Sequence, residues 1–460
     1  EFAIDPIKIA RSSFDERKTR TNNFNDGSSR LNIKSNMLDK EILQPNEDED
    51  KTVLPAHNIP SDINIPTPVL SEKPKEVETK PEVEKKSGEA KKKLSIVFDQ
   101  ALVRPIETVS GIDKYVNPEL YCEPEKHITD ADLDLIIAKN PDIKVLDLSF
   151  CYALHDFTKL AKLRNLEQLN LFQCRIPNTS FLRDLKNLKA LSLASTGVVN
   201  IDDLAGLQYL QALNLNFNEK LISIAAVRNF HDLRDLGLWG CGMLRDLSPL
   251  SGITSMQAID LDATAVIDLS PLRNLINIEM LILDNSLVTD ITPLANLTKM
   301  KFFTMDGAKS QLKESDLHTF EGLVNMKTLI LKSRGIPSLK YFSNMVNMIE
   351  MQLADNLIMS LDPIANYRKL LKLDLSGNSK INNIDALTDI ASLEKTNISG
   401  NKNSSIKISD LSPLRNMSKM DTFECAYNSV LKDISIFNDL PTTKDVNFSY
   451  CTALEDIRPL

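Results

Sequence analysis

The sequence predicts a repeat solenoid: about fourteen short parallel strands stacked into one curved sheet, behind a polar amino-terminal arm. Three observations carry this prediction. A pattern L-x-x-L-x-L-x-x-(N/C/T) recurs along the chain with its central L-x-L pair first at Leu146. Its spacing is nearly constant. A second apolar pair follows about ten residues later, often as Asp-Leu-Ser-Pro-Leu. A length of 460 residues would ordinarily suggest roughly three domains, but a fixed period overrides that prior.

The central pairs begin at Leu146, Leu169, Leu191, Leu213, Leu236, Ile259, Leu281, Phe303, Leu329, Met351, Leu373, Thr396, Phe423 and Val446. The intervals are 23, 22, 22, 23, 23, 22, 22, 26, 22, 22, 23, 27 and 23. Alternate apolar residues point inward from a strand while those between them face out. The proline motif stands at Asp246–Leu250, Asp268–Leu272, Asp290–Leu294 and Asp410–Leu414, with variants at Ser360–Ile364 and Asp456–Leu460. Its proline bends the returning segment, and the flanking Leu or Ile fills the slot behind the strand. A turn of 22 residues leaves no room for a long helix, so the convex side should be short 3-10 turns and extended pieces. No copy buries its apolar face alone; stacking does that.

Three residues after each pair runs a column holding Cys151, Cys174, Thr196, Asn218, Cys241, Thr264, Ser286, Ala308, Arg334, Asn356, Asn378, Asn401, Asn428 and Cys451. With the D-(L/I)-x-P-L motif, the pattern resembles the leucine-rich repeats of the 22-residue type. It is similar to those of bacterial internalins and of a regulatory subunit of protein phosphatase 1, over about 310 residues. The resemblance implies an α/β horseshoe with a concave parallel sheet. It also implies that the column is an asparagine ladder, whose buried side chains hydrogen-bond the turn backbone. Asn supplies donors and acceptors, and Cys or Thr is a weaker substitute. Four of the six cysteines sit in this column, so they read as structural rather than as a metal site or disulfides, in a reducing compartment. Ala308 and Arg334 should break the ladder and distort the solenoid around the 26-residue repeat.

Ahead of the repeats, residues 1–93 read as a disordered or extended arm. Prolines interrupt it from Pro45 to Pro81, and residues 71–93 alternate Lys and Glu with almost nothing apolar. Lys91–Lys93 reads as a solvated charge run. Residues 94–141 form a cap region. Leu94–Phe98 loosely resembles the basic-then-Val/Ile-x-Phe peptides that bind protein phosphatase 1, with one spacer too many, and reads as a strand on the solenoid's end. A helix is expected near 129–139, capped by Thr129 or Asp130, with Leu133, Ile136 and Ile137 on one face. The same stretch resembles the helical turn of cysteine-type repeats in F-box proteins, although the arm holds no F-box pattern. The repeat domain is 142–460. The chain starts Glu1-Phe2 without an apolar leader and stops mid-repeat at Leu460, so a fragment is expected.

The net charge of −9, of which −7 falls in residues 101–460, disfavours a nucleic-acid partner and favours neutral or basic proteins. No apolar run is long enough to span a membrane. The five histidines are scattered, and no nucleophile–base set, phosphate loop or metal-spaced Cys/His group occurs, so neither catalysis nor a cofactor is expected.

Function should then lie on the concave face. Phe150, Phe172, Phe217 and Trp239, the only tryptophan, fall on the first five strands as a candidate aromatic patch. Asp262, Asp284 and Asp306 stack beside it on successive strands, with Asp260 adjacent. Strands roughly 4.8 Å apart would leave these carboxylates repelling one another, a cost that a Lys- or Arg-bearing partner relieves. Rim loops are expected at Lys309–Glu314 and Lys402–Lys407. The reading is a non-enzymatic protein-binding scaffold, of a bacterial effector or adhesin kind, acting in the cytosol (the host's, if secreted). A phosphatase 1 regulator and the substrate-receptor arm of a larger ubiquitin-ligase-type enzyme are the alternatives.

Overall fold

The computed structural model describes residues 128–307 and 311–460. The arm over 1–93, the expected strand at Leu94–Phe98, Ala308 and Lys309 lie outside the described residues.

Helix α1, Asp130–Lys139, opens the described chain. Thr129 caps it: Thr129 Oγ1 accepts from Asp132 N at 3.3 Å, and the Asp132 carboxylate accepts from Thr129 N at 3.0 Å. Leu133 and Ile136 are buried against the first repeat and Ile137 packs beside them. Asp130, the other expected cap, has a different task. One carboxylate oxygen accepts from His155 N at 2.9 Å and Asp156 N at 2.8 Å, tying the helix to the first turn. These backbone donors hold the Asp130 carboxyl below its usual range.

Fourteen three-residue strands follow: β1 Val145–Asp147, β2 Gln168–Asn170, β3 Ala190–Ser192, β4 Ala212–Asn214, β5 Asp235–Gly237, β6 Ala258–Asp260 and β7 Met280–Ile282. Then come β8 Phe302–Thr304, β9 Thr328–Ile330, β10 Glu350–Gln352, β11 Lys372–Asp374, β12 Lys395–Asn397, β13 Thr422–Glu424 and β14 Asp445–Asn447. They form one parallel sheet in sequence order, the fold expected of a leucine-rich-repeat solenoid. The register pairs Leu146 with Leu169, Leu213 with Leu236 and Phe303 with Leu329, the same residues that head the L-x-L pairs. The apolar residues of the pairs from β1 to β13 are buried in a single continuous core, with Thr396 the one polar member, and Val446 and Phe448 of the last pair pack partly buried against it.

Short 3-10 turns close the back of each coil, as at Ser248–Leu250, Ser270–Leu272 and Thr292–Leu294. The proline motif explains them. Asp246 accepts from both Ser248 N (2.8 Å) and Ser248 Oγ (2.9 Å), which turns the chain. Pro249 then occupies the first 3-10 turn, where no N–H is needed. Asp268, Asp290 and Asp410 repeat the device on Ser270, Thr292 and Ser412. A two-turn helix is absent from this position in every one of these coils because the proline motif and 22-residue period leave no chain for it.

The column behind the strands is a hydrogen-bonded ladder. Asn218 Nδ2 donates to Leu193 O (2.9 Å) and Leu215 O (2.8 Å), while its Oδ1 accepts from Gly197 N (2.9 Å) and Val198 N (3.1 Å). Asn356 and Asn378 bridge consecutive coils in the same way, and Asn428 donates to Ile408 O at 2.7 Å. Cysteine does half the work: Cys174, Cys241 and Cys451 each donate one S–H to the preceding coil, at 3.0, 3.3 and 3.2 Å. Cys151, in the first coil, donates to Ser149 O at 3.8 Å. Thr196 and Thr264 donate to a carbonyl of their own coil. Burial pushes the Cys241 thiol up to about 12, and the Cys174 thiol up as well, so both are poor nucleophiles.

Two expectations for this column need correction. Arg334 does not break the ladder: its side chain is fully buried, and Nε donates to Met305 O at 2.7 Å, the carbonyl that an Asn rung would reach. A guanidinium N–H replaces the amide N–H, and β8 and β9 pair without interruption. Asn401, expected as a rung, is not one. Its backbone pairs with Ser404 and its Oδ1 accepts from Asn403 N at 2.9 Å. The extra residues of the 27-residue repeat begin there and draw Asn401 into a turn, while Asn428 bonds to Ile408, just after the insertion, instead.

Candidate functional site

The open face of the sheet is built from the first and third residue of each strand and the two residues that follow each L-x-L pair. The third residue is more than an outward side chain. In Asn170, Asn214, Asp260, Asp374, Asn397 and Asn447, Oδ1 accepts the backbone N–H two residues on, at 2.9–3.1 Å. This closes an Asx turn at the strand's end. The chain then passes through a left-handed residue: φ is +62° at Phe150, +60° at Phe217, +54° at Tyr427 and +60° at Tyr450. Glycine supplies the same conformation at Gly240, Gly307 and Gly377. A phenylalanine or tyrosine there costs roughly 1–2 kcal/mol of backbone strain.

The four aromatic residues singled out in the sequence form two pairs. Phe150 and Phe172 meet edge to face, with ring centroids 5.0 Å apart and planes at 88°. Phe217 and Trp239 are tilted at 54° with centroids 4.4 Å apart. Phe172, expected at the surface, is only 3% exposed. It serves as a backing for Phe150, whereas Phe150, Phe217 and Trp239 remain half-buried. A further pair, Tyr427 and Tyr450, lies outside the patch that the sequence singles out. Their rings stack at 4.4 Å and 13°, and Tyr450 is 68% exposed. The signal was available, since both occupy the column of Phe150 and Phe217.

The carboxylates are tied down rather than bare. Asp260 closes its own turn on Asp262 N at 3.0 Å. Asp262 is 3% exposed and accepts from Asn285 Nδ2 at 2.9 Å. Asp284 Oδ1 accepts from Thr304 Oγ1 (2.6 Å) and from Asp306 N (2.7 Å) on the next strand. Asp306 accepts from Gly307 N at 2.8 Å and lies 3.8 Å from Lys332 Nζ. The buried Arg334 guanidinium acts on Asp284 and Asp306 electrostatically. The expectation that folding gains nothing from these acids is therefore corrected. Asp260, Asp284 and Asp306 each hold a backbone N–H, Asp262 holds the Asn285 amide, and two cations offset the far end of the column.

One acid was missed. Asp235, the first residue of β5, is 2% exposed, and its Oδ1 has no hydrogen-bond partner. Loss of hydration pushes its carboxyl well above the ordinary range. The outward columns read from the sequence begin at the middle of each L-x-L pair, two positions later in the strand, and so pass over it.

Among the described residues no group of three or more His, Cys, Asp or Glu could hold a metal ion, and no helix is long and apolar enough to cross a membrane. Cys174, Cys241, Cys425 and Cys451 are buried free thiols.

The repeat, the sequential parallel sheet and the ladder define a leucine-rich-repeat solenoid of the internalin-like type. Among solved structures, the chain is similar to an internalin (inlF) of Listeria monocytogenes at 26% identity, with a TM-score of 0.54 over 70% of this chain and 85% of that one. It is also similar in fold to a leucine-rich-repeat protein of Leptospira interrogans, at 19% identity and a TM-score of 0.53, covering 69% of this chain and 93% of that one. No family model and no curated protein sequence matches.

Proposed function

We propose that this protein is a non-enzymatic scaffold that holds a partner protein against the open face of its sheet. The surface runs from Phe150 on the β1 turn, through Phe217 and Trp239, to Asp260, Asp262, Asp284 and Asp306. Phe172 braces the first ring. The observation that carries this reading is the placement of Phe150 and Phe217 on left-handed backbone, next to further rings. Folding alone would be better served by glycine at those positions, as at Gly240. Strain of this kind is a signature of functional positions, and paired aromatic rings beside carboxylates suit a partner with apolar and basic contact residues. The likeness to two bacterial leucine-rich-repeat structures supports a role of the effector or adhesin kind.

Affinity capture with the full chain, followed by mass spectrometry, tests the site. Trp239→Ala and Asp284→Ala, each checked for unchanged circular dichroism, should lower recovery of the captured partner at least tenfold. Undiminished capture by both variants refutes the assignment.

A further inference from the structure

The loop that leaves each rung of the ladder carries a second outward pattern. In the coils of β3 to β7, five in succession, it shows one large apolar side chain to solvent. These are Val199, Ile222, Met243, Ile267 and Leu287, all between 47% and 58% exposed. Val199, Ile222 and Ile267 stand in one column, each directly after a buried residue, Val198, Leu221 or Val266. Ile222 N donates to Val199 O at 3.3 Å, so the loops stack one on the next. Arg245 and Thr289 take the column position in the β5 and β7 coils, and there the exposed apolar group is two residues earlier, at Met243 and Leu287. Single apolar side chains at a surface are ordinary, but a run of five along one flank marks a contact surface.

A row of carboxylates borders this ridge. Asp246, Asp268 and Asp290, on three successive coils, each follow the column by one residue and are exposed. Hydrogen bonds from Ser270 and Thr292 hold Asp268 and Asp290 below the ordinary carboxylate range. Asp268 also feels the charge of Asp290, which Arg273 offsets in part. The turn that these acids close does not need their charge. Asn200 and Ser223 close it in the β3 and β4 coils, accepting from Asp202 N (3.4 Å) and Ala225 N (3.2 Å).

Spacing selects the occupant. Coils stack about 4.8 Å apart, and an α-helix brings its apolar stripe round once per turn of about 5.4 Å. Over the four steps of the ridge these two periods drift by about 2.4 Å, or half a coil. An extended strand repeats one face only every 6.8 Å or so and would drift by about 8 Å, more than a whole coil.

We infer that the flank from Val199 to Leu287 is a docking surface for an amphipathic α-helix of a partner protein, laid across the coils with its apolar stripe on the ridge and Lys or Arg along the edge that meets Asp246, Asp268 and Asp290. This surface is separate from the open face and does not rest on that reading. A second copy of the chain is a poorer occupant. Helix α1, the longer of the two α-helices among the described residues, carries Asp130, Asp132 and Asp134 against Lys139, the wrong sign for this edge.

The test uses the full chain and the peptide fluorescein-LKQALKQLKQALKQLK-amide, whose leucines form one helical stripe and whose lysines line one edge of it. Its fluorescence anisotropy is followed as the chain is added. Saturable binding is expected, at least tenfold weaker when glutamate replaces every lysine or when proline replaces a central glutamine and breaks the helix. Ile222→Ser with Ile267→Ser alters only exposed side chains and should weaken the lysine peptide at least tenfold. Asp246→Asn with Asp268→Asn keeps the turn acceptors and should weaken it at least threefold, with a shallower salt dependence. No saturable binding, equal binding of the glutamate or proline peptide, or binding unmoved by both double variants overturns the inference. Self-association of the chain in sedimentation that is lost in Ile222→Ser with Ile267→Ser also overturns it, and gives the ridge to a second copy.

Discussion

The ladder makes a graded prediction, because its rungs differ in how many bonds they carry. Asn218 is fully buried and makes four side-chain bonds to backbone, two as donor and two as acceptor, across two coils. Asn218→Ala removes all four and leaves the turn at Gly197 and Val198 without its acceptor. At about 1 kcal/mol net for each bond, the expected loss is about 4 kcal/mol. Cys241, the next rung, makes one S–H bond to Leu215 O at 3.3 Å. Cys241→Ala should therefore cost about 1 kcal/mol. The difference of about 3 kcal/mol exceeds a hundredfold in an equilibrium constant. Urea unfolding followed by Trp239 emission is the right assay, since that ring sits on the coil of Cys241, next to the coil of Asn218. A local probe matters because a solenoid stabilised by nearest-neighbour interfaces need not unfold all at once. A loss below 1 kcal/mol for Asn218→Ala, or one no larger than that for Cys241→Ala, would refute the reasoning.

Three other outcomes can be checked. Asn401→Ala should shift stability by under about 1 kcal/mol, since its Oδ1 serves one exposed turn bond, whereas Asn378→Ala should cost several times more in the same urea titration. Asp268 and Asp290 are held below the usual carboxylate range by hydrogen bonds from Ser270 and Thr292. Their contribution is present above the unfolded pKa of about 4 and lost as pH falls through the folded values, so the double change to Asn should flatten the acid limb of melting temperature against pH. Asp235 runs the other way. Its folded pKa is raised, so the native state is penalised as pH climbs above about 4. Asp235→Asn should melt higher than the parent at pH 7 and alike at pH 3; a lower melting point at pH 7 would contradict an unpartnered carboxylate.

The strands and their register were legible because a parallel coil repeats its apolar slots at a fixed interval, and each L-x-L pair marks one slot. What the period could not show was direction. Asp260, Asp262, Asp284 and Asp306 stand in outward columns, yet three of them turn an oxygen back onto a backbone N–H and Asp262 accepts from the Asn285 side chain, bonds that a column of letters does not display. Arg334 was misjudged on charge and volume, although its Nε lies where an amide nitrogen would. Asn401 was misjudged because an insertion was assumed to fall after the rung rather than at it. Asp235 is a different case. Nothing periodic distinguishes it from Ala212 or Ala258, and only burial without a partner does.

The sequential order of the sheet makes it a ruler. Each coil advances the face by one strand spacing of about 4.8 Å, so the seven steps from Phe150 beside β1 to Asp306 beside β8 measure about 34 Å along the face. That is the width of a small domain, not of a peptide's side chain or a metabolite. Excising the β7 coil would remove Asp284 and draw Asp306 one notch closer to the rings, with every other coil left intact. Partner affinity would then depend on the count of coils, a quantity that changes in whole units.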